Sequence, residues 1–237
     1  MSKIKKPLIQ FVSTVEGLET IEEVLPKPAK SFIPQWWKDI PGSMPNTVKG
    51  CPSFPDYFSQ GFIMPMWMNS KLTYDKDKDL WSAESSDALD RWWIHRNEQA
   101  LDYVKMNMQG EDASFVFKAS CPWMIITPPG YSVLQLPLFY HFNKDFSVLP
   151  GVIDTDIHHE VNQQVLYHGD GKDVIIKRGD PFALYVPFER KKYDYSISTQ
   201  TEDQKKMFHS MWLNLATKQF SGVYREMQRR RDARLAK

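Results

Sequence analysis

The chain has 237 residues, of which 42% are hydrophobic and 25% charged, as in a globular protein with one main domain and additions to it. The net charge of +1 excludes a global electrostatic attraction to nucleic acid or to an anionic membrane. No apolar run approaches the roughly 20 residues of a membrane span, and the two cysteines, Cys51 and Cys121, interpreted as free buried thiols, are too few for a secreted disulfide framework, so we expect a soluble intracellular protein with no membrane partner.

Residues 1–60 are predicted to form an extended aromatic arm that begins with a strand over residues 6–15. Seven prolines between positions 26 and 55 prevent a long regular element, because each removes a backbone donor and restricts the residue before it. The aromatic residues of the same segment would be absent from a disordered linker. Trp36 and Trp37 are placed in a short helix and interpreted as core residues. A partner-binding anchor and a stacking platform for single-stranded nucleic acid are the alternatives.

The next part of the chain gives weaker signals. Residues 61–68 are apolar and suggest a strand interrupted by Pro65, and the run DKDKD at 75–79 is typical of a polar hairpin tip. It lacks the central glycine and terminal glutamate of a calcium loop. Helical spacing is present over residues 98–108.

Residues 110–190 are predicted to form the β core of a single domain that spans residues 1–237. Short apolar runs separated by turn residues leave no room for a crossover helix. The sequence GDGK at 169–172 indicates a hairpin between the strands on either side of it. The predicted fold class is therefore mainly β (α+β), with an antiparallel sandwich or barrel-like core. The expected strands cover residues 114–118, 123–127, 131–142, 160–167, 174–177 and 182–188.

Residues 200–237 are predicted to form a C-terminal amphipathic helix with a possible break near Ser221 and Gly222. Its end is rich in arginine and lysine, which is typical of a solvated helix terminus. The alternative is a basic handle for a phosphate-bearing partner. The apolar face of the first part consists of Met207, Phe208, Met211, Trp212 and Leu215.

A cluster of histidines suggests a metal site as one alternative. Four of the six histidines, His141, His158, His159 and His168, lie within 28 residues on predicted strands. Asp154, Asp156, His158 and Glu160 would share one face of a strand by its period of two. Together they could bind a divalent metal, as in cupin or non-haem iron proteins, although no cofactor and structural histidines are the leading interpretation.

Three segments resemble the central strands of the dUTPase family, enzymes of the β-clip fold that hydrolyse deoxyuridine triphosphate. They are PPGY at 128–131, GVIDTD at 151–156 and KRGDPFALYVP at 177–187. The resemblance implies a β-clip-like core and makes Asp154 the carboxylate that orients the attacking water. Ile157 stands where the family has a sugar-stacking tyrosine, and Leu138 and Phe139 stand where it binds phosphate. A helix takes the place of the family's glycine-rich C-terminal arm.

The chain also resembles a group of uncharacterised proteins of marine T4-like bacteriophages, through residues 26–41, 51–62 and 128–142. This resemblance implies a viral gene product located in the host cytoplasm or in the virion.

The leading hypothesis is a phage-encoded, non-catalytic interaction or structural protein on a dUTPase-like β scaffold. Because the related enzymes form trimers, we expect a homo-oligomer, or a complex with another phage or host protein, in which Trp36, Trp37 and Trp212 are candidate anchors. One alternative is a metal-dependent enzyme that uses the four histidines with Asp156 or Glu160. The other alternative is a diverged nucleotide hydrolase built on Asp154.

Overall fold

The structure is a computed structural model that describes residues 8–41, 48–75, 77–78, 80–85, 94–96, 115–168, 171–217 and 220–235. The helix predicted over 98–108 lies outside the described residues. The chain divides into two compact units, one of Met1–Phe32 with Gln60–Arg190 and one of Ile33–Ser59 with Lys191–Lys237. The predicted aromatic arm is thus divided after Phe32. The single-domain boundaries stay a prediction.

The first unit consists of short antiparallel strands. They are β1 (Gln10–Ser13), β2 (Lys27–Pro28), β3 (Phe62–Pro65), β4 (Ser70–Asp75), β5 (Leu80–Ser85), β6 (Ile94–Arg96), β7 (Phe115–Ser120), β8 (Trp123–Ile126), β9 (Tyr131–Leu136), β10 (Phe146–Val148), β11 (Gly151–Ile153), β12 (Asn162–Tyr167), β13 (Val174–Ile176) and β14 (Pro181–Glu189). The largest sheet has the order β11-β9-β14-β3-β2, and a second has the order β10-β12-β7-β6. Two smaller sheets have the orders β13-β4-β5 and β1-β8. The mainly β fold class is confirmed, and the sheets formed by the described strands do not close into a barrel.

The core of this unit follows from the alternation of apolar residues. In β4 every second residue is buried, beginning with Ser70, because successive side chains point to opposite faces of the sheet. β14, an inner strand of the five-stranded sheet, is buried on both faces over Phe182–Tyr185. The largest fully buried side chains include Trp67, Tyr167, Tyr185 and Phe117.

A chain of buried hydrogen bonds crosses this core. The Gln163 amide donates to the Tyr185 hydroxyl at 2.7 Å, and that hydroxyl donates to the Gln135 carbonyl oxygen at 2.9 Å. Gln135 in turn donates to the Leu149 carbonyl oxygen at 2.9 Å. The chain links β12 of the four-stranded sheet to β14 and β9 of the five-stranded sheet, and burial makes its bonds costly to lose.

Several predicted strand boundaries and pairings differ from the structure. The strand expected over 131–142 ends at Leu136, because Pro137 has no amide hydrogen to continue the ladder, and Phe139–His141 form a 3-10 turn. The hairpin predicted around 169–172 is wrong, since β12 pairs with β10 and β7 whereas β13 pairs with β4. A turn signal is local and does not determine which strands pair. The predicted tip at 75–79 does connect two paired strands, β4 and β5.

The second unit is helical. It contains α1 (Gln35–Asp39), α2 (Ser53–Phe58), α3 (Glu202–Thr217) and α4 (Phe220–Leu235). Two helices are therefore described where one C-terminal helix was predicted. The Gln228 side chain on α4 donates to Asp56 on α2 at 2.7 Å. Within the described residues no helix is both long enough and apolar enough to cross a membrane.

Candidate functional site

The segment GVIDTD forms a turn at the end of β11. The carbonyl oxygen of Asp154 accepts backbone hydrogen bonds from Ile157 at 3.0 Å and from His158 at 2.8 Å. Thr155 is fully buried, and its hydroxyl lies 2.8 Å from the hydroxyl of Thr127, which precedes the Pro-Pro-Gly turn. The contact between the two hydroxyls joins the bases of the two turns. Asp154 and Asp156 precede and follow Thr155 in the chain.

Both carboxylates bind Arg190, the residue that follows β14. Arg190 Nη1 lies 3.0 Å from Asp154 Oδ1, and its Nη2 lies 2.8 Å from Asp156 Oδ2. Ser132 Oγ donates to Asp154 Oδ1 at 2.8 Å, and the Gly130 amide donates to Asp156 Oδ2 at 2.9 Å. The Asp156 side chain is only 7% exposed, whereas that of Asp154 is 42% exposed. One guanidinium therefore holds two carboxylates against the 128–130 turn.

The electrostatics of Asp156 favour its charged form. The hydrogen bond from the Gly130 amide is the main cause that lowers the pKa of Asp156 below its ordinary value of 3.8, and the charge and hydrogen bond of Arg190 act in the same direction. Removal of the carboxylate from water opposes this change and does not outweigh it. Asp156 is therefore an anion at neutral pH whose oxygens are engaged by the protein itself, which is the arrangement of a structural carboxylate.

The predicted strand face that would join Asp154, Asp156, His158 and Glu160 does not exist. The strand ends at Ile153 and the chain turns, so the period of two no longer applies to the residues that follow. His158 and Glu160 are exposed, and His159 Nδ1 lies 2.9 Å from the Thr155 carbonyl oxygen.

The other two predicted histidines lie elsewhere in the same unit. His168 Nε2 is 3.0 Å from Oγ of Ser147, the middle residue of β10. His141 lies in the 3-10 turn after β9, where burial lowers its pKa, against the opposing effect of a hydrogen bond with the Phe32 backbone. Among the described residues no group of three or more His, Cys, Asp or Glu is placed to hold a metal ion. The metal alternative therefore stays a prediction for which the described chain offers no set of ligands.

A cavity of about 580 Å³ opens beside His141. Its walls include Phe139, Phe142, Phe146 and Phe182, and the rings of the last two lie 5.3 Å apart. Asp145 and Asp180 are the charged residues in its lining, which contains neither lysine nor arginine. Its size is within the range of about 300–1,000 Å³ that is common for ligand pockets. The sequence pattern gave no signal for this cavity, because its lining comes from separate turns and strands.

The predicted tryptophan anchors differ in exposure. Trp37 is buried in the second unit, where it stacks on Phe54 at 5.3 Å and lies beneath the Lys49 ammonium at 4.9 Å. Trp36, half-buried, contacts Trp37 edge to face at 5.8 Å. Trp212 on α3 is 62% exposed. Trp212 is therefore the one of the three whose ring is largely open to a partner.

The basic residues of α4 are partly engaged within their own helix. Arg230 binds Glu226 at 3.0 Å, and Arg231 binds Asp232 at 3.0 Å. Such exposed pairs are weak, so a phosphate-bearing partner at this end stays a prediction.

Sequence reasoning missed Arg190 and Ser132, which complete the carboxylate cluster. Ser132 lies two residues after the Gly130 turn, and Arg190 is the first residue after β14. The register that pairs Glu189 with Tyr131 brings both next to Asp154. The arginine at the end of an apolar strand was visible in the sequence. The carboxylates that it binds could be identified only from the register of the strands.

Comparison with known proteins gives a limited result. No protein-family model and no curated protein matches the chain. Among solved structures, that of a mutant dUTPase from phage phi11 of S. aureus is 10% identical and covers 49% of this chain and 90% of its own, with a TM-score of 0.27. At that score the likeness establishes neither the fold nor a reaction for this chain.

Proposed function

We propose that the protein acts by binding and not by catalysis, as a phage-encoded interaction or structural protein on a dUTPase-like β scaffold. The proposal is carried by the apolar side chains that α3 leaves exposed, above all Trp212 at 62%. Met207, Phe208 and Met211 lie on the same helix face and are also exposed. A stripe of this kind is typical of an interface whose anchor is a large aromatic residue.

The state of the carboxylates supports the same proposal. A general base or a water-orienting carboxylate needs an oxygen that is available to the reacting water. Arg190 and the Gly130 amide engage both oxygens of Asp156, whose side chain is 7% exposed, so Asp156 does not meet this requirement. In Asp154, Arg190 and Ser132 engage Oδ1. The apolar Leu138 and Phe139 cannot contribute charged hydrogen bonds to a phosphate.

The partner we propose for α3 is a second copy of the chain, in keeping with the trimeric state of the enzymes that the core resembles in sequence. Light scattering after size exclusion at micromolar concentration is expected to give a multiple of the 27.7 kDa chain mass. Trp212→Ala is expected to weaken association at least tenfold and so to lower the measured mass toward that of a single chain. The control is Lys206→Gln, which by helical spacing changes the opposite face of α3. A strictly monomeric wild-type protein contradicts the proposed homo-oligomer.

A second measurement tests the non-catalytic part. The purified protein is offered a broad set of nucleoside triphosphates, and pyrophosphate release is measured with and without added divalent metal. No turnover above buffer is expected. Turnover that Asp154→Ala abolishes would establish the hydrolase alternative, and stoichiometric transition metal in freshly purified protein would favour the metal-dependent enzyme.

A further inference from the structure

The segment that follows β14 exposes three large apolar side chains in alternation. Residues 191–200 have no helix or strand assignment, and every one of them is exposed. Tyr193, Tyr195 and Ile197 are 82%, 89% and 91% exposed, and polar residues stand between them. An alternation of aromatic and β-branched residues with polar ones is the pattern of a strand that is half-buried. The segment therefore has the sequence of a strand that is paired on one face of a sheet.

The backbone of residues 192–200 is not part of any ladder formed by the described strands. Arg190 donates its amide hydrogen to Gly130 at 2.8 Å, and the next backbone bond in this part of the chain is from Lys205 to Thr201 at 2.9 Å. Residues 192–200 make no backbone hydrogen bond with the described residues. A row of open donors and acceptors that carries apolar side chains is a template for addition to the edge of another sheet.

The first unit contains an edge that fits such a strand. β13 is the last strand of the sheet β13-β4-β5, so one of its edges has no neighbour among the described strands. Ile175, 64% exposed, and Ile176 both line the cavity described above. A strand added along β13 would therefore lie beside a space lined by phenylalanine side chains.

We infer that residues 192–199 of one copy of the chain pair as a strand with β13 of a second copy and place Tyr193, Tyr195 and Ile197 against the phenylalanine-lined cavity. Charge favours this occupant. Lys192 precedes Tyr193, and the cavity lining carries Asp145 and Asp180 with no basic residue other than His141. Each chain supplies one segment and one cavity, so in a pair of copies each cavity can bind the segment of the other copy. This inference uses another surface than α3 and goes beyond the proposed function.

Peptide binding tests the chemistry of the pairing. The receptor is the full chain with Tyr193→Ser, Tyr195→Ser and Ile197→Ser, which leaves the cavity without a competing segment and changes only exposed side chains. A fluorescent peptide of residues 190–199 is expected to bind it saturably, by anisotropy. Ile175→Thr or Phe139→Ser in the receptor is expected to weaken binding at least fivefold, and both side chains are exposed enough for the fold to tolerate the change.

The control peptide carries Asp194→Asn and Ser196→Ala, on the opposite face of the strand, and is expected to bind within twofold of the unmodified peptide. A peptide with all three apolar residues replaced by serine is expected not to bind. Absence of saturable binding by the unmodified peptide at millimolar concentration would overturn the inference, as would equal binding to the Ile175→Thr receptor.

Cross-linking tests whether the paired segment and cavity belong to different copies of the chain. Tyr195→Cys and Ile175→Cys are placed in separate, differently tagged chains that also carry Cys51→Ser, and the two are mixed under mild oxidation. A disulfide between the two tags is expected, with a much lower yield when Asp194→Cys replaces Tyr195→Cys. A disulfide that forms only within one chain carrying both cysteines would overturn the assignment to a second copy. The outcome is independent of α3, because Trp212→Ala can dissociate one interface while the segment and cavity remain intact.

Discussion

Arg190 binds Asp156 through both carboxylate oxygens, with Nη2 2.9 Å from Oδ1 and 2.8 Å from Oδ2. The two residues are 34 positions apart in the chain. The contact joins the end of β14 to the turn that follows β11, and the Gly130 amide holds the same carboxylate. This fastening therefore links three segments of the first unit next to Asp154, the residue that the sequence suggested as a catalytic carboxylate.

This fastening predicts a dependence of stability on pH. The pKa of Asp156 in the folded protein is lower than its ordinary value of 3.8, which approximates the unfolded chain. The carboxylate therefore stabilises the fold above that value, and the stabilisation is lost as the pH falls below it toward the folded pKa. In urea unfolding between pH 3 and 7, wild type is expected to exceed Asp156→Asn in unfolding free energy near neutrality, with the difference shrinking below about pH 4. Glu160→Gln, at an exposed carboxyl of the same segment, is the control, and a difference for Asp156→Asn that does not change with pH would contradict the role.

The buried hydroxyl of Tyr185 gives a second prediction. Tyr185→Phe keeps the ring and leaves the Gln163 amide and the Gln135 carbonyl oxygen without the partner they share at 2.7 and 2.9 Å. Buried polar groups that lose a partner cost about 1–3 kcal/mol. Denaturant unfolding is expected to show a loss of that size, while Tyr193→Phe, at an exposed ring, is expected to change stability by less than about 0.5 kcal/mol. Equal stability of Tyr185→Phe and Tyr193→Phe would show that the buried hydrogen-bond chain does not stabilise this core.

The sequence predicted the class of the fold because strands and turns leave local patterns. The strand predicted over 160–167 corresponds to Asn162–Tyr167, and the Pro-Pro-Gly turn lies just before Tyr131–Leu136. Pairing could not be predicted in the same way. The turn signal at 169–172 does not join the strands beside it, because β13 pairs with β4, about 100 residues earlier in the chain.

The sequence located the carboxylates of the candidate site but not the groups that bind them. The pattern located Asp154 and Asp156, and the alternation that was to place His158 and Glu160 beside them fails because the chain turns after Ile153. The partner of both carboxylates, Arg190, is brought near by the register of β9 and β14. The register between distant strands depends on the packing of the whole sheet, so a short motif does not determine it.

Gly61 gives a third prediction, from a close approach of two backbone segments. Its φ is +67°, and a Cβ atom at this position would lie 2.1 Å from the Tyr185 carbonyl oxygen, which belongs to a buried strand and cannot move aside. Gly61→Ala is expected to lower the unfolding free energy by about 3 kcal/mol or more, because a steric clash adds to the left-handed backbone. The matched control is Gly17→Ala, with φ +80° and nothing within 4 Å of the added atom, for which only the backbone cost of about 1–2 kcal/mol is expected. Equal losses in chemical denaturation would contradict the close approach at Gly61.

The two cysteines give the last prediction, because they differ in environment. Both are free, as predicted, and each is partly exposed as a whole residue. Desolvation nevertheless raises the pKa of the Cys121 thiol to about 12, and the Trp123 amide, 3.4 Å from its sulfur, opposes the shift only in part. Since the thiolate is the reactive form, the raised pKa leaves very little reactive Cys121 near neutral pH. With a thiol-specific chromogenic reagent, native Cys51→Ser protein is expected to react very slowly and to gain one fast-reacting thiol on unfolding, whereas native Cys121→Ser protein is expected to react through Cys51 at once. Rapid reaction of native Cys51→Ser protein would show that the Cys121 thiol is open to solvent and would contradict the raised pKa.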